Sequence, residues 1–174
     1  AVPVERTANG SLRAPPQGHF VLAEGNVPPP VSVPSRAGSG LEMSYFAWGI
    51  MEFVLYQNKE GLIDPAVSLW TEWDVAPDSS KVSWKLREGV QFHNGWGGMT
   101  AKDIAFSYND ANSVTNPESI HGQAGDFAPL IASMEAVEDY VVRLNYRNFD
   151  SRGMLHRFSS FWQTAGIVSS ALFE

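Results

Sequence analysis

Apolar and polar residues alternate strictly over 81–87: Val82, Trp84 and Leu86 fall on one side, and Lys81, Ser83, Lys85 and Arg87 on the other. A period of two is the signature of a strand with one buried face. Residues 68–75 are predicted as its antiparallel mate, because Pro77-Asp78-Ser79-Ser80 between them is turn chemistry, with proline presetting φ and Asp or Ser closing the bend. A second alternating run places Tyr140, Val142, Leu144 and Tyr146 opposite Arg143, Asn145 and Arg147, and residues 134–137 are its expected hairpin partner through Glu138-Asp139. Helical spacing appears between the hairpins. Thr100-Ala101-Lys102-Asp103 reads as a capping box with Asp in place of Glu; Ile104, Ala105, Tyr108 and Ala111 follow on one face, and Pro117 bars extension past Asn116.

Two further stretches read as helical. Residues 41–56 carry Leu41, Met43, Tyr45, Phe46, Trp48, Ile50, Met51, Phe53, Val54 and Tyr56 on nearly every face, which predicts a helix that is buried or covered by another domain. Helical texture returns over 150–160. The first forty residues differ: Pro15-Pro16, Pro28-Pro29-Pro30 and Ser39-Gly40 forbid a long helix, so they read as an extended arm. Within that arm, residues 19–23 form one short apolar run, a strand delivering a loop that begins at Glu24. Helices interleaved with antiparallel hairpins define a mixed α+β class.

Composition narrows the function. At 174 residues and 44% hydrophobic content, the chain can bury a core of domain size. Its 12 Lys+Arg against 19 Asp+Glu give a formal charge of −7, the wrong sign for a nucleic-acid binder or a polybasic membrane-surface module. Zero cysteines remove disulfides, thiolate metal sites and cysteine nucleophiles together. No run of about 18 apolar residues occurs, and Ala1-Val2-Pro3 starts without a basic or apolar leader, so a targeting peptide is expected to be missing from this sequence rather than from the gene.

Candidate catalytic sets are sparse. His19, His93, His121 and His156 are scattered without metal-ligand spacing, and no GxSxG elbow is present. Gly95-Trp96-Gly97-Gly98 lacks the Lys-Ser/Thr of a phosphate loop and reads as a turn with a bulge. Glu72 and Asp74 share one face of a predicted strand, the side expected to be solvated, and are the pair on which a carboxylate-based hydrolase would have to rest.

Three segments are more specific. Gly61-Leu62-Ile63-Asp64-Pro65-Ala66-Val67-Ser68-Leu69-Trp70 is followed by Trp84-Lys85-Leu86-Arg87-Glu88-Gly89-Val90-Gln91-Phe92-His93-Asn94-Gly95 and then by Met99-Thr100-Ala101-Lys102-Asp103-Ile104-Ala105-Phe106-Ser107-Tyr108. In order and spacing these resemble the signature of the family 5 extracellular solute-binding proteins of ABC importers, which includes oligopeptide-, dipeptide- and nickel-binding receptors. Glu138-Asp139-Tyr140-Val141-Val142-Arg143-Leu144 resembles a later hairpin of the same family. The segments also make sense physically: Gly89 can take φ > 0 at a strand end, His93-Asn94-Gly95 is a turn, and Thr100 caps a helix. They form a scaffold signature and say little about the ligand. The link at Trp96-Gly97-Gly98 departs from the family's shorter proline-containing form, so no function is carried through it.

The resemblance implies a periplasmic-binding-protein-like II fold, with residues 1–40 as an extended arm bearing the first strand of lobe I. Residues 41–174 would be a small inserted domain of that lobe, and the second lobe would be absent from this chain. It implies no enzyme and no cofactor, but an extracytoplasmic receptor, periplasmic or anchored at the cell surface, that binds peptide and hands it to an ABC permease in the membrane. Nickel chelates and sugars are the alternative solutes. By the same resemblance Glu24, Gly25, Asn26 and Val27 face the ligand from the loop after the first strand. Ile120, His121, Gln123 and Phe127 do so from the segment after the long helix. A single wall of a two-lobed cleft should bind soluble ligand poorly, and apolar surface left uncovered should favour self-association.

Overall fold

The computed structural model describes residues 18, 19, 21, 34–36, 51, 52, 54–151, 158 and 165–173. Its centre is a four-stranded antiparallel sheet in the order β1-β2-β4-β3. Strands β1 (Trp70–Val75) and β2 (Lys81–Leu86) form the first hairpin, and β3 (Ile131–Glu138) and β4 (Val141–Tyr146) the second. β2 joins β4 in register, Val82 opposite Leu144 and Trp84 opposite Val142. The alternation predicted for β2 and β4 is observed, with Val82, Trp84, Leu86, Val142 and Leu144 all buried. On the other face Arg143 meets Glu135 at 3.8 Å, and Asn145 Nδ2 donates to Ser133 Oγ and to Glu135 Oε1. The second hairpin differs from expectation in its length and turn: β3 runs the full eight residues, and the bend falls at Asp139-Tyr140.

Helix α1 (Ala101–Ala111) packs over β3 and β4 and buries Ile104, Tyr108 and Ala111. Asp103 Oδ2 accepts the Thr100 N–H at 2.8 Å and the Thr100 hydroxyl at 3.1 Å, so the carboxylate satisfies a helix-start donor as the sequence predicts. The helix stops at Ala111, well before Pro117. Asn112 ends it by donating from Nδ2 to Ile131 O at 3.0 Å while its Oδ1 accepts Val114 N–H. Asn109 reaches β3 as well, donating to Met134 O and accepting Met134 N–H, both at 2.8 Å. An amide side chain there occupies backbone groups that an edge strand would otherwise leave open. A short helix α2 (Ala124–Phe127) follows.

One expectation is corrected. Residues 51, 52 and 54–56, the end of the predicted long helix, are not helical. Their backbone groups pair with distant segments: Val54 O accepts Trp70 N–H at 3.0 Å, Leu55 N–H bonds Phe158 O at 3.1 Å, and Tyr56 N–H bonds Ser68 Oγ at 2.9 Å. Apolar density alone does not separate a buried helix from a buried extended segment. Residues 41–50 and 53 lie outside the described residues, as do 152–157, 159 and 160 of the later helical stretch and most of the arm.

Strand β1 carries an irregularity. Its register shifts between Trp70 and Glu72, so Trp70 pairs with Leu86 and Trp73 with Trp84. That bulge turns Trp70 into the core, where uninterrupted alternation would have placed it on the face of Glu72. Trp70 stacks on Trp84 with ring centroids 3.9 Å apart, and Phe158 and Tyr108 tilt against them. Beyond the bulge, β1 is an uncovered edge. Glu72 and Asp74 are solvated as expected, but Trp73 (42% exposed) and Val75 (36%) are exposed too.

Candidate functional site

Among the described residues, two regions are candidates for a ligand site: the loop following α1, and a cleft under the turn 89–99. In the first, Asn116 Nδ2 donates to Asp110 Oδ1, Ser119 Oγ donates to Ala111 O, and His121 N–H bonds Ser119 Oγ. The loop is therefore fixed to the end of the helix. From the other side residues 34–36 lie against it, Ser35 O accepting Ile120 N–H at 2.9 Å.

This local folding determines what each predicted contact presents. Ile120 is 65% exposed. Gln123 is half-buried, and its Oε1 is enclosed without a hydrogen-bond partner. His121 and Phe127 are buried and lie against each other, ring centroids 5.7 Å apart, with Phe127 tilted onto Tyr108. His121 Nδ1 accepts Gln123 N–H at 3.0 Å, so its ring orders the turn that leads into α2. Of these four residues, Ile120 and Gln123 offer side-chain surface, while His121 and Phe127 hold the loop from inside. Glu24, Gly25, Asn26 and Val27 lie outside the described residues.

The cleft encloses about 510 Å³ including its open mouth. Leu69, Met99 and Ile167 form its floor, and Glu52, Gln91 and His93 lie at its rim. Its outer wall is the segment 86–99. Arg87 anchors this segment by donating from Nε to Ser68 O and from Nη2 to Pro65 O. Gly89, Asn94, Gly95 and Gly97 all have positive φ, and Phe92 N–H bonds Gly97 O. His93 is an exposed turn residue there. The cleft thus combines an apolar floor with polar side chains at its rim, as ligand-binding clefts do.

The carboxylates weighed for hydrolysis lie on the open edge. Glu72 meets Lys85 at 3.5 Å with both side chains exposed, and Glu72 and Asp74 border only a shallow surface depression. Among the described residues no group of three His, Asp or Glu is placed to hold a metal ion, and no helix is long and apolar enough to cross a membrane.

Comparison with solved structures defines the class: the mixed α+β chain matches part of the periplasmic-binding-protein-like fold. It matches a dipeptide-binding protein from Pseudoalteromonas sp. SM9913 in complex with Met-Leu at TM-score 0.65 and 21% identity, over 82% of this chain and 30% of that one. DppA from Helicobacter pylori, in complex with the peptide STSA, matches at 0.60 and 23%, over 80% and 29%. NikA from Brucella suis, in complex with Fe(III)-EDTA, matches at 0.60 and 23%, over 84% and 28%. This chain thus spans under a third of the length of these structures.

The model of the bacterial extracellular solute-binding proteins, family 5 (middle region), matches residues 64–170, and the chain belongs to that family. This is a family of solute-binding receptors. No curated protein is similar enough to count as a relative. The sequence signals that pointed to the family were the segments around Asp64, Arg87 and Thr100. By contrast, Ser35, Asp110, Asn116 and the cleft residues Glu52 and Ile167 carry no local signal; they are drawn together by tertiary contacts alone.

Proposed function

We propose that the chain contributes one wall of a receptor that binds peptide outside the cytoplasmic membrane and passes it to an ABC permease. The family match over 64–170 carries this reading. The peptide-bound proteins among its structural likenesses support the choice of solute. Ile120, Gln123 and the stretch Glu24, Gly25, Asn26 and Val27 are assigned to the solute-facing surface, with amides and exposed backbone gripping a peptide main chain. Closure of a second wall completes such a site.

The test is equilibrium binding of Met-Leu, Ser-Thr-Ser-Ala and Fe(III)-EDTA, by the 174-residue chain and by the product of the complete reading frame that encodes it. Peptide binding by the complete product, with little by the 174-residue chain, is expected. Preference for the chelate over both peptides would replace peptide with a metal complex as solute. Hydrolysis of a glycoside lost on replacing Glu72 and Asp74 would overturn the receptor reading.

A further inference from the structure

Asp110 stands near the end of α1 and uses both carboxylate oxygens. Oδ2 accepts the Ser35 N–H at 2.6 Å, and Oδ1 accepts an Asn116 Nδ2–H at 3.0 Å. Asn116 Nδ2 also donates to the Asp110 carbonyl at 3.1 Å. The circuit closes through Ser35, whose carbonyl accepts Ile120 N–H at 2.9 Å. One side chain thus joins three segments separated in sequence: the arm at 34–36, the end of α1 and the loop beginning at Asn116. Ser35 is buried in this contact although the arm is rich in proline and glycine. The neighbouring Arg36 and Glu118 pair at 3.9 Å with both side chains exposed, and such a contact adds little hold.

We propose that Asp110 is a positioning residue that fixes the loop 116–123 on the N-terminal arm. Ile120 and Gln123 are then held at a fixed position relative to Ser35, and the loop meets solute in one arrangement. The inference rests on the reading above that Ile120 and Gln123 face solute. Its physical basis is cooperative. A lone hydrogen bond between two loops does not offset the entropy of ordering them, whereas a carboxylate accepting from both sides supplies charge-assisted bonds to each. Without Asp110, the Ser35 amide loses its acceptor, and the Ile120-to-Ser35 bond should be lost with it.

Hydrogen exchange resolved to single amides tests this on the full chain, comparing the natural protein with Asp110→Ala and Asp110→Asn. In Asp110→Ala, exchange at Ser35 and Ile120 should rise together by about tenfold, while amides of β2 and β4 keep their protection. Asp110→Asn retains one acceptor oxygen and should restore part of the protection at both positions, which also covers the case in which the alanine variant fails to fold. A rise at Ser35 with Ile120 unchanged would overturn the inference, as would a uniform rise through the central strands. Failure of the natural receptor to bind peptide bears on the proposed ligand; independent movement of the two amides bears on Asp110.

Discussion

Replacing Asp103 with alanine should destabilise this chain more than any single surface change. Asp103 is buried, and its carboxylate joins the helix start to a segment far along the chain. Oδ2 accepts from Thr100, and Oδ1 accepts the Ser170 N–H at 2.8 Å and the Ser170 hydroxyl at 3.0 Å. One turn further along α1, Ser107 donates to Asp103 O at 2.7 Å while its oxygen accepts Val168 N–H at 3.1 Å. Loss of the helix-start contact costs about 1 kcal/mol. Donors left unpaired at a partly buried contact cost roughly 1–3 kcal/mol. Allowing for non-additivity, Asp103→Ala should lose about 3 kcal/mol, which at an m-value of about 2 kcal/mol/M moves the urea midpoint down by about 1.5 M. Asp103→Asn, with one acceptor oxygen, should lose roughly half as much. Combining Asp103→Ala with Ser170→Ala isolates the long-range part, and a coupling of about 1 kcal/mol is expected. An Asp103→Ala loss below about 1 kcal/mol, or full additivity with Ser170→Ala, would refute the view that this carboxylate fastens residues 165–173 to the helix.

Two further outcomes follow from local geometry. Burial, aided by the negative charge of Asp150, pushes the Tyr146 hydroxyl up to about 12, above the ordinary tyrosine value of about 10. The folded state therefore holds this proton more tightly than the unfolded state. The resulting stability is fully present below about pH 10 and lost as pH rises toward about 12; absorbance titration near the phenolate band should show a late component that Tyr146→Phe reduces by one tyrosine. Gly89 has φ +78° with nothing within 4 Å of an added Cβ, so Gly89→Ala should cost only the left-handed backbone penalty of about 1–2 kcal/mol in urea unfolding; an unchanged midpoint would contradict the turn described at that position.

The parts legible in the sequence are those in which the signal and its cause lie within a few residues of each other. Alternation in 81–87 and 140–146 reports burial of one face, Thr100 and Asp103 stand three residues apart, and Gly89 answers a backbone torsion at its own position. The family segments share this property, because they encode turns, a cap and a strand end. Tertiary structure decided the rest. The face of Trp70 turned on a bulge that appears only when β1 pairs with β2. Residues 54–56 proved non-helical because Phe158, Ser68 and Trp70, distant in sequence, supply their hydrogen-bond partners. His121 and Phe127 had the chemistry of ligand contacts but pack inward, where Tyr108 of α1 meets Phe127. The joining of Ser35, Asp110 and Ile120 is of the same kind. A hydrogen bond between segments separated by tens of residues leaves no periodic trace in either of them, so the sequence determines the class of fold and its family, and the contacts between segments determine which side chains remain on the surface to meet a solute.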